Sequence, residues 1–217
     1  MCTLSQILLG QPLSAVRSTK AALVVALLCL SAVLCSCSPR DVLSRRLATD
    51  LIAASETFNA PQQFLLRTGV LSNKDYSSPE NLVLQHKGWI SASTVACPPA
   101  LAPSPCWDVL LTPSGVETVR GLVSQDEAAK QSMNIRVAKR EIVAVSGISK
   151  QGTVADVEFV WKWAPLNEIG GALYSGDLRY KSTVGFRKYD DGWRVIETSA
   201  HSDQTIDEAL KNAEPTS

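Results

Sequence analysis

Two neighbouring carboxylates are the most direct candidates for acid–base chemistry in this chain of 217 residues. Asp156 and Glu158 lie two residues apart in a segment that alternates apolar and polar side chains, so both point to one face of a predicted strand. Such a pair can move protons if desolvation raises the pKa of one member. The interpretation that we favour is a solvated strand face with Lys or Arg across from the two acids.

Four further residues are candidates for ligand binding. Trp161 and Trp163 share the apolar face of the same predicted strand, where they could line a pocket, although core packing is the favoured role. Asn167 and Glu168 follow in a glycine-rich connection, a kind of segment that often carries functional residues.

Several classes of site are excluded by composition and motif. The two histidines cannot form a histidine-rich metal site, and nucleophile elbows, phosphate loops and dinucleotide-binding glycine motifs do not occur. Lys plus Arg and Asp plus Glu both number 21, so no overall charge favours nucleic acid. We therefore predict no metal, no cofactor and no nucleic-acid partner.

An apolar run near the start is the strongest signal in the chain. Fourteen residues, 21–34, follow the positive flank formed by Arg17 and Lys20. A membrane-spanning helix needs about 20 residues, so the run is short for one and is typical of the centre of a secretory signal. The alternative is an N-terminal anchor that is not cleaved.

The residues Leu34-Cys35-Ser36-Cys37 resemble the lipobox of bacterial lipoproteins. The resemblance implies cleavage between Ser36 and Cys37, removal of a signal peptide of residues 1–36, and a diacylglycerol group on the Cys37 sulfur, with palmitate-type acyl chains as the membrane anchor. Ser38 stands where Asp commonly signals retention in the inner membrane. In an organism with two membranes this favours the outer membrane, facing the periplasm.

Cysteine counting agrees with export. Of six cysteines, three would leave with the signal and Cys37 would carry the lipid, which leaves Cys97 and Cys106 as an even pair in an oxidising compartment. The eight residues between them include four prolines, which exclude helix and strand pairing in that loop. A disulfide there is either a stabilising staple or the support of a preorganised contact loop.

Residues 78–123 carry a second resemblance. Gly88-Trp89-Ile90 precedes a predicted hairpin and Leu111-Thr112-Pro113-Ser114-Gly115 follows it, which is similar to the wing region of winged-helix proteins. The resemblance implies a DNA-reading helix before the wing. The charges of the corresponding helix nearly cancel and the hairpin loop has none, so we retain the shape as an expectation and not DNA binding.

The predicted fold class is α+β: N-terminal helices with a disulfide-tipped β-hairpin, then a four-stranded antiparallel meander packed on helices. A helix capped by Ser38 extends to Phe58, and a short helix covers Pro61 to Arg67. The meander is weakly similar to cystatin-like and NTF2-like domains. One compact unit comprises residues 37–123 and 124–200, and residues 201–217 form a polar, loosely held tail.

These observations favour a lipid-anchored envelope protein that binds a partner protein without catalysis. One alternative is a lipid-anchored hydrolase that uses the Asp156 and Glu158 face. Another is a membrane-tethered winged-helix regulator, which requires an uncleaved signal and reduced Cys97 and Cys106. The mature chain has 19 basic and 21 acidic residues, a formal charge of −2, so we expect the acyl chains and not charge to hold it at the membrane.

The intact mass of protein extracted from membranes with detergent tests the lipoprotein interpretation. We expect a chain that begins at an acylated Cys37, in which Cys97 and Cys106 resist alkylation until they are reduced. A full-length mass with two freely alkylated thiols would contradict export and lipidation together.

Overall fold

The computed structural model describes residues 42–101, 105–123, 131–174, 176–197 and 204–216. The predicted signal peptide, Ser36 and Cys37 lie outside the described residues. From Leu43 onward the chain forms one compact unit. Among the helices in the described ranges, none has the length and apolar character needed to cross a membrane.

Short helices and strands alternate in the first half of the unit, and Ser or Thr side chains accept hydrogen bonds at the starts of its helices. The elements are α1 (Arg45–Ala54), α2 (Glu56–Asn59), β1 (Gln62–Arg67), β2 (Gly69–Ser72), α3 (Asn73–Tyr76), α4 (Pro79–His86), β3 (Ile90–Val95), a 3₁₀ turn (Pro99–Leu101), β4 (Cys106–Leu111) and α5 (Pro113–Val119).

Long strands dominate the second half. The elements are β5 (Ser132–Gln151), β6 (Val154–Pro165), α6 (Glu168–Leu173), β7 (Arg179–Tyr189), β8 (Gly192–Val195), α7 (Ile206–Lys211) and β9 (Glu214–Thr216). A six-stranded sheet has the order β1-β5-β6-β7-β8, with β9 paired to β7, and a three-stranded sheet has the order β2-β4-β3. The strand pairs are antiparallel.

The α+β class and the disulfide between Cys97 and Cys106 are confirmed. The bond closes the β3–β4 loop, and its two Cα atoms are 5.1 Å apart. The large sheet has six strands where the sequence predicts four, because β1 and β9 join the consecutive strands β5 to β8.

Two of the predicted helices differ from the structure. The segment Pro61 to Arg67 is a strand for most of its length, because β1 pairs with β5 from Gln62 to Arg67. A short apolar segment does not distinguish helix from strand by its periodicity, and here the partner strand decides. The predicted helix up to Phe58 is two helices, since Ser55 has extended backbone angles and caps both α1 and α2.

The expectation of a loosely held C-terminal tail is wrong for residues 204–216. Thr205 and Glu208 form a reciprocal capping box that begins α7. Ile206 and Ala209 from this helix are buried in the core, and β9 then pairs with β7. Two apolar residues spaced for one helix face are enough to anchor a segment that is polar on average.

Strand β5 belongs to two hydrophobic cores. Its first part contributes Met133, Ile135 and Val137 to a core shared with the small sheet and helices α3 to α6. Its last part contributes Val145 to a second core, which contains Phe159 and Phe186 and is covered by α1, α2 and α7. Irregular register between Ile142 and Gly147 separates the two parts.

Two helices are held against neighbouring strands in the same way. Asn167 accepts a hydrogen bond from the Gly170 amide and donates its side-chain amide to the Arg136 carbonyl at 2.7 Å. At the start of α5, Thr112 accepts from Gly115 and donates to the Gly88 carbonyl at 2.6 Å. In both helices the third residue must be Gly, because a Cβ atom there would overlap a backbone carbonyl of the adjacent strand.

Replacement of Gly170 tests this helix docking. We expect Gly170→Ala to lower the free energy of unfolding by about 3 kcal/mol, because the added methyl group overlaps the Val137 carbonyl. Gly171→Ala, one residue later in the same helix, meets open space and should change stability by less than about 1 kcal/mol. Denaturant unfolding monitored by circular dichroism measures both, and equal stabilities would contradict the described contact.

Candidate functional site

The two candidate tryptophans meet in an aromatic cluster at the junction of the two cores. Trp161 is buried, donates its indole N–H to Ser182 Oγ at 3.0 Å, and stacks on Tyr180 with ring centroids 4.6 Å apart. Trp163 is half-buried and packs edge-on against Trp161 at 5.3 Å. Packing therefore occupies most of the Trp161 surface, and a ligand-binding role for this pair stays a prediction.

Arg140 is the charged centre of this cluster. Its guanidinium carbon lies 4.8 Å from the Trp163 ring centroid and 5.7 Å from that of Trp161. Its Nη1 donates to the Thr57 carbonyl at 3.0 Å, with the Ala60 carbonyl at 3.4 Å, so the side chain joins β5 to the last turn of α2. Burial lowers the pKa of Arg140 from its ordinary value, and the charge of Asp207 opposes that shift.

The other two candidate binding residues lie at the start of α6. The Asn167 side chain caps the helix and donates a hydrogen bond to the Arg136 backbone carbonyl, as described above, so it has a structural role in this conformation. Glu168 is exposed in the first turn of α6, where a carboxylate interacts favourably with the helix dipole.

The carboxylate pair lies on the open face of the large sheet. Glu158 forms an ion pair with Lys181 at 2.7 Å and accepts a hydrogen bond from Ser146 Oγ at 2.6 Å. The Lys181 hydrogen bond and then that of Ser146 lower the pKa of Glu158, which is the opposite of what a general acid needs. Asp156 is exposed and lies opposite Ser149 and Gly185. This geometry matches a solvated strand face.

A groove of about 320 Å³ with polar and charged side chains in its lining lies beside β1. One wall is β1 and the other is formed by α3 and the start of α4. Its lining comprises Gln62, Gln63, Phe64, Leu65, Arg67, Leu71, Asp75, Ser78, Glu80, Asn81 and Tyr174.

Tyr174 connects the groove to the aromatic cluster. Its ring lies 5.4 Å from that of Trp163, and its hydroxyl group is hydrogen-bonded to the side chain of Gln62. Burial raises the pKa of Tyr174 above its ordinary value, and the nearby negative charge of Glu80 adds to the shift. The phenol therefore stays protonated and can donate a hydrogen bond within the groove at neutral pH.

The groove follows an open strand edge. Among the described residues β1 pairs only with β5, so one side of its main chain has no strand neighbour. Arg67 at one end of β1 lies 3.9 Å from Asp75 of α3, a weak and exposed ion pair. The groove thus combines a strand edge that has no strand neighbour among the described residues with side chains of both signs of charge.

Sequence reasoning missed this groove because it assigned β1 to a helix. In the structure Leu66 is buried between the exposed residues Leu65 and Arg67. The sequence did not show this alternation, because Phe64, Leu65 and Leu66 form a continuous apolar run that fits a helix or a strand equally.

No group of three or more metal-ligating side chains occurs in the described part of the chain. In comparisons with known proteins, no family model, no curated protein and no solved structure matches this chain.

Truncation of Arg140 tests the junction. We expect Arg140→Ala to lower the free energy of unfolding by about 3 kcal/mol, because two aromatic faces lose a cation and the carbonyl groups at the end of α2 lose their donor. The adjacent Lys139→Ala removes an exposed cation from the same strand and should cost less than about 0.5 kcal/mol. Similar losses for both variants would show that Arg140 does not join the elements as described.

Proposed function

We propose that this chain is a lipid-anchored protein of the bacterial envelope that acts as a non-enzymatic binding module. Its site is the groove beside β1, and its ligand is an extended segment of a partner protein. The observation that carries the proposal is the open edge of β1 within a polar groove.

An open strand edge recognises extended polypeptide by main-chain hydrogen bonds, and neighbouring side chains supply the specificity. Five residues of β1 line the groove, so a bound segment can run along most of this strand. Leu65 is 42% exposed there and offers an apolar contact, while Glu80 and Arg67 offer opposite charges. Edges of this kind are usually blocked in proteins that do not use them.

The disulfide supports an envelope location. Disulfides persist in oxidising compartments and are rare in the bacterial cytosol. Cys106 is fully buried, so the bond is part of the folded body. This agrees with the lipobox-like residues before Cys37 and with an anchor formed by acyl chains.

The alternative functions have less support. A cytoplasmic winged-helix regulator needs reduced cysteines, against which the Cys97–Cys106 bond weighs. A hydrolase that uses Asp156 and Glu158 needs a raised carboxyl pKa, whereas the pKa of Glu158 is lowered.

Site-specific photo-crosslinking in cells tests the groove. A photoreactive residue at Gln63, exposed on the groove wall, should yield one discrete adduct with an envelope protein, and mass spectrometry should place the link in one extended segment of it. The same residue at Ser149, exposed on the open face of the large sheet, should not yield this adduct.

Reversal of the charge of Glu80, on the wall opposite β1, distinguishes specific binding in the groove from non-specific crosslinking. Glu80→Lys should lower the yield of the adduct from Gln63 about tenfold, as the loss of one charge contact predicts, at unchanged protein level. Equal adduct yields from positions 63 and 149 would refute the groove as the binding site. An adduct yield from position 63 that Glu80→Lys does not change would refute it as well.

A further inference from the structure

The turns at one end of the large sheet bring basic residues together. Gln151 pairs with Val154 at the β5–β6 turn, and Val154 pairs with Arg187 of β7. Arg187 in turn pairs with Arg194 of β8. The Lys188 amide donates to the Thr153 carbonyl at 2.7 Å, so the two turns lie side by side.

The first described residues enter the fold at the same end. Leu43 is buried in the core that contains Trp193 of β8. Arg45 Nη2 donates to the Ser146 carbonyl at 3.2 Å, and α1 contacts both β5 and β8. We call the six cationic side chains of this region the basic end: Arg45, Arg46, Lys150, Arg187, Lys188 and Arg194.

The charge of the basic end is opposite in sign to that of the whole mature chain. Its six cations lie with three carboxylates, Asp156, Asp190 and Asp191, which gives a net charge of +3. This leaves 13 basic and 18 acidic residues in the rest of the mature chain, a charge of −5. Arg194 pairs with Asp191, and Arg187 and Lys188 also have interaction partners within the fold, so part of the cationic charge is already satisfied.

The helix dipole disfavours two of these cations. Arg45 and Arg46 occupy the first turn of α1, and that turn holds no acidic residue. The hydrogen bond to the Ser146 carbonyl is one reason for the position of Arg45, whereas for the exposed Arg46 a contact outside the folded unit is a physical reason.

Exposed apolar and aromatic side chains accompany the basic end. Tyr189 is 45% exposed, with its ring 5.0 Å from the Arg194 guanidinium, and Val154 is 38% exposed. Lys150 extends over the ring of Trp193, which is buried, at 5.1 Å. Basic residues combined with an exposed aromatic ring, here Tyr189, are a composition that suits the interface between a bilayer and water.

The length of the preceding chain also favours a membrane. If Cys37 carries the lipid, as the proposed function requires, the five residues between it and Leu43 allow a separation of at most about 20 Å. The basic end is then held near the bilayer surface, where anionic headgroups attract each Lys or Arg within roughly a Debye length of 8 Å.

We infer that the basic end docks on an anionic lipid surface and is a second membrane contact beside the acyl anchor. The groove lies at the opposite part of β5, since β1 pairs with residues 132–138 of that strand. Fifteen residues separate Ile135 from Lys150, about 50 Å of strand path. Docking at the basic end would therefore hold the groove away from the bilayer and towards a partner.

Fluorescence quenching on vesicles tests this inference with the membrane-extracted protein. An environment-sensitive label is attached through Tyr189→Cys at the basic end or through Leu65→Cys at the groove, and the vesicles carry a headgroup quencher. On phosphatidylcholine vesicles that contain phosphatidylglycerol we expect quenching of the label at position 189 only. High salt and pure phosphatidylcholine should abolish it.

Charge reversal provides the matched comparison. Arg45→Glu with Arg46→Glu should weaken docking at least about thirtyfold, as the loss of two cationic contacts predicts. These changes suit the dipole of α1 but remove the hydrogen bond from Arg45 to the Ser146 carbonyl, so thermal unfolding checks that the fold persists. Arg46→Glu alone leaves that bond in place and should weaken docking at least about fivefold. Lys74→Glu with Lys139→Glu makes the same change in net charge at exposed positions elsewhere and should leave docking intact.

Either of two results would overturn the inference: equal quenching at both labels, or quenching that survives both high salt and the Arg45 and Arg46 reversals. The intact mass of the same sample reports acylation separately. Absence of acyl chains would therefore refute the anchor, whereas absence of quenching in an acylated sample would refute docking alone.

Discussion

The two hydrophobic cores depend on one shared strand, β5, and on the charge that this strand buries at their junction. Burial of a guanidinium group removes it from water and costs free energy unless donors and acceptors are matched. Arg140 meets this requirement in part: two tryptophan rings lie beside it and its Nη1 donates to the carbonyl groups at the end of α2, whereas its buried Nε has no hydrogen-bond partner among the described residues. The cluster fixes α2 against the sheet and thereby fixes where β1 begins.

The same strand separates the two surfaces to which we assign roles. Its first residues pair with β1 and so place the groove, while its last residues form the turn that contributes to the basic end. An antiparallel strand of 20 residues is long enough to keep these surfaces apart. For the membrane-attached binding module that we propose, this separation would leave the groove accessible to a partner.

Prediction from sequence succeeded where the signal was local and failed where a distant partner decided. The alternation of apolar and polar side chains around Asp156 and Glu158 predicted β6, because side-chain period depends on adjacent residues. The segment of β1 and the residues after Thr205 were misassigned, since pairing with β5 and insertion into the core override weak local preference. Most of the candidate site was missed for the same reason.

The sequence by itself determined the α+β class, the cysteine pair that forms the disulfide, and a lipobox-like segment that predicts export, since each rests on a short run of residues or on a count. Only the tertiary structure decided that β1 presents an open edge beside α4, and that cations from α1, β5, β7 and β8 lie together. A formal charge of −2 for the predicted mature chain conceals a charge of +3 at the basic end, because net charge ignores position whereas electrostatic attraction decays over about 8 Å in physiological salt.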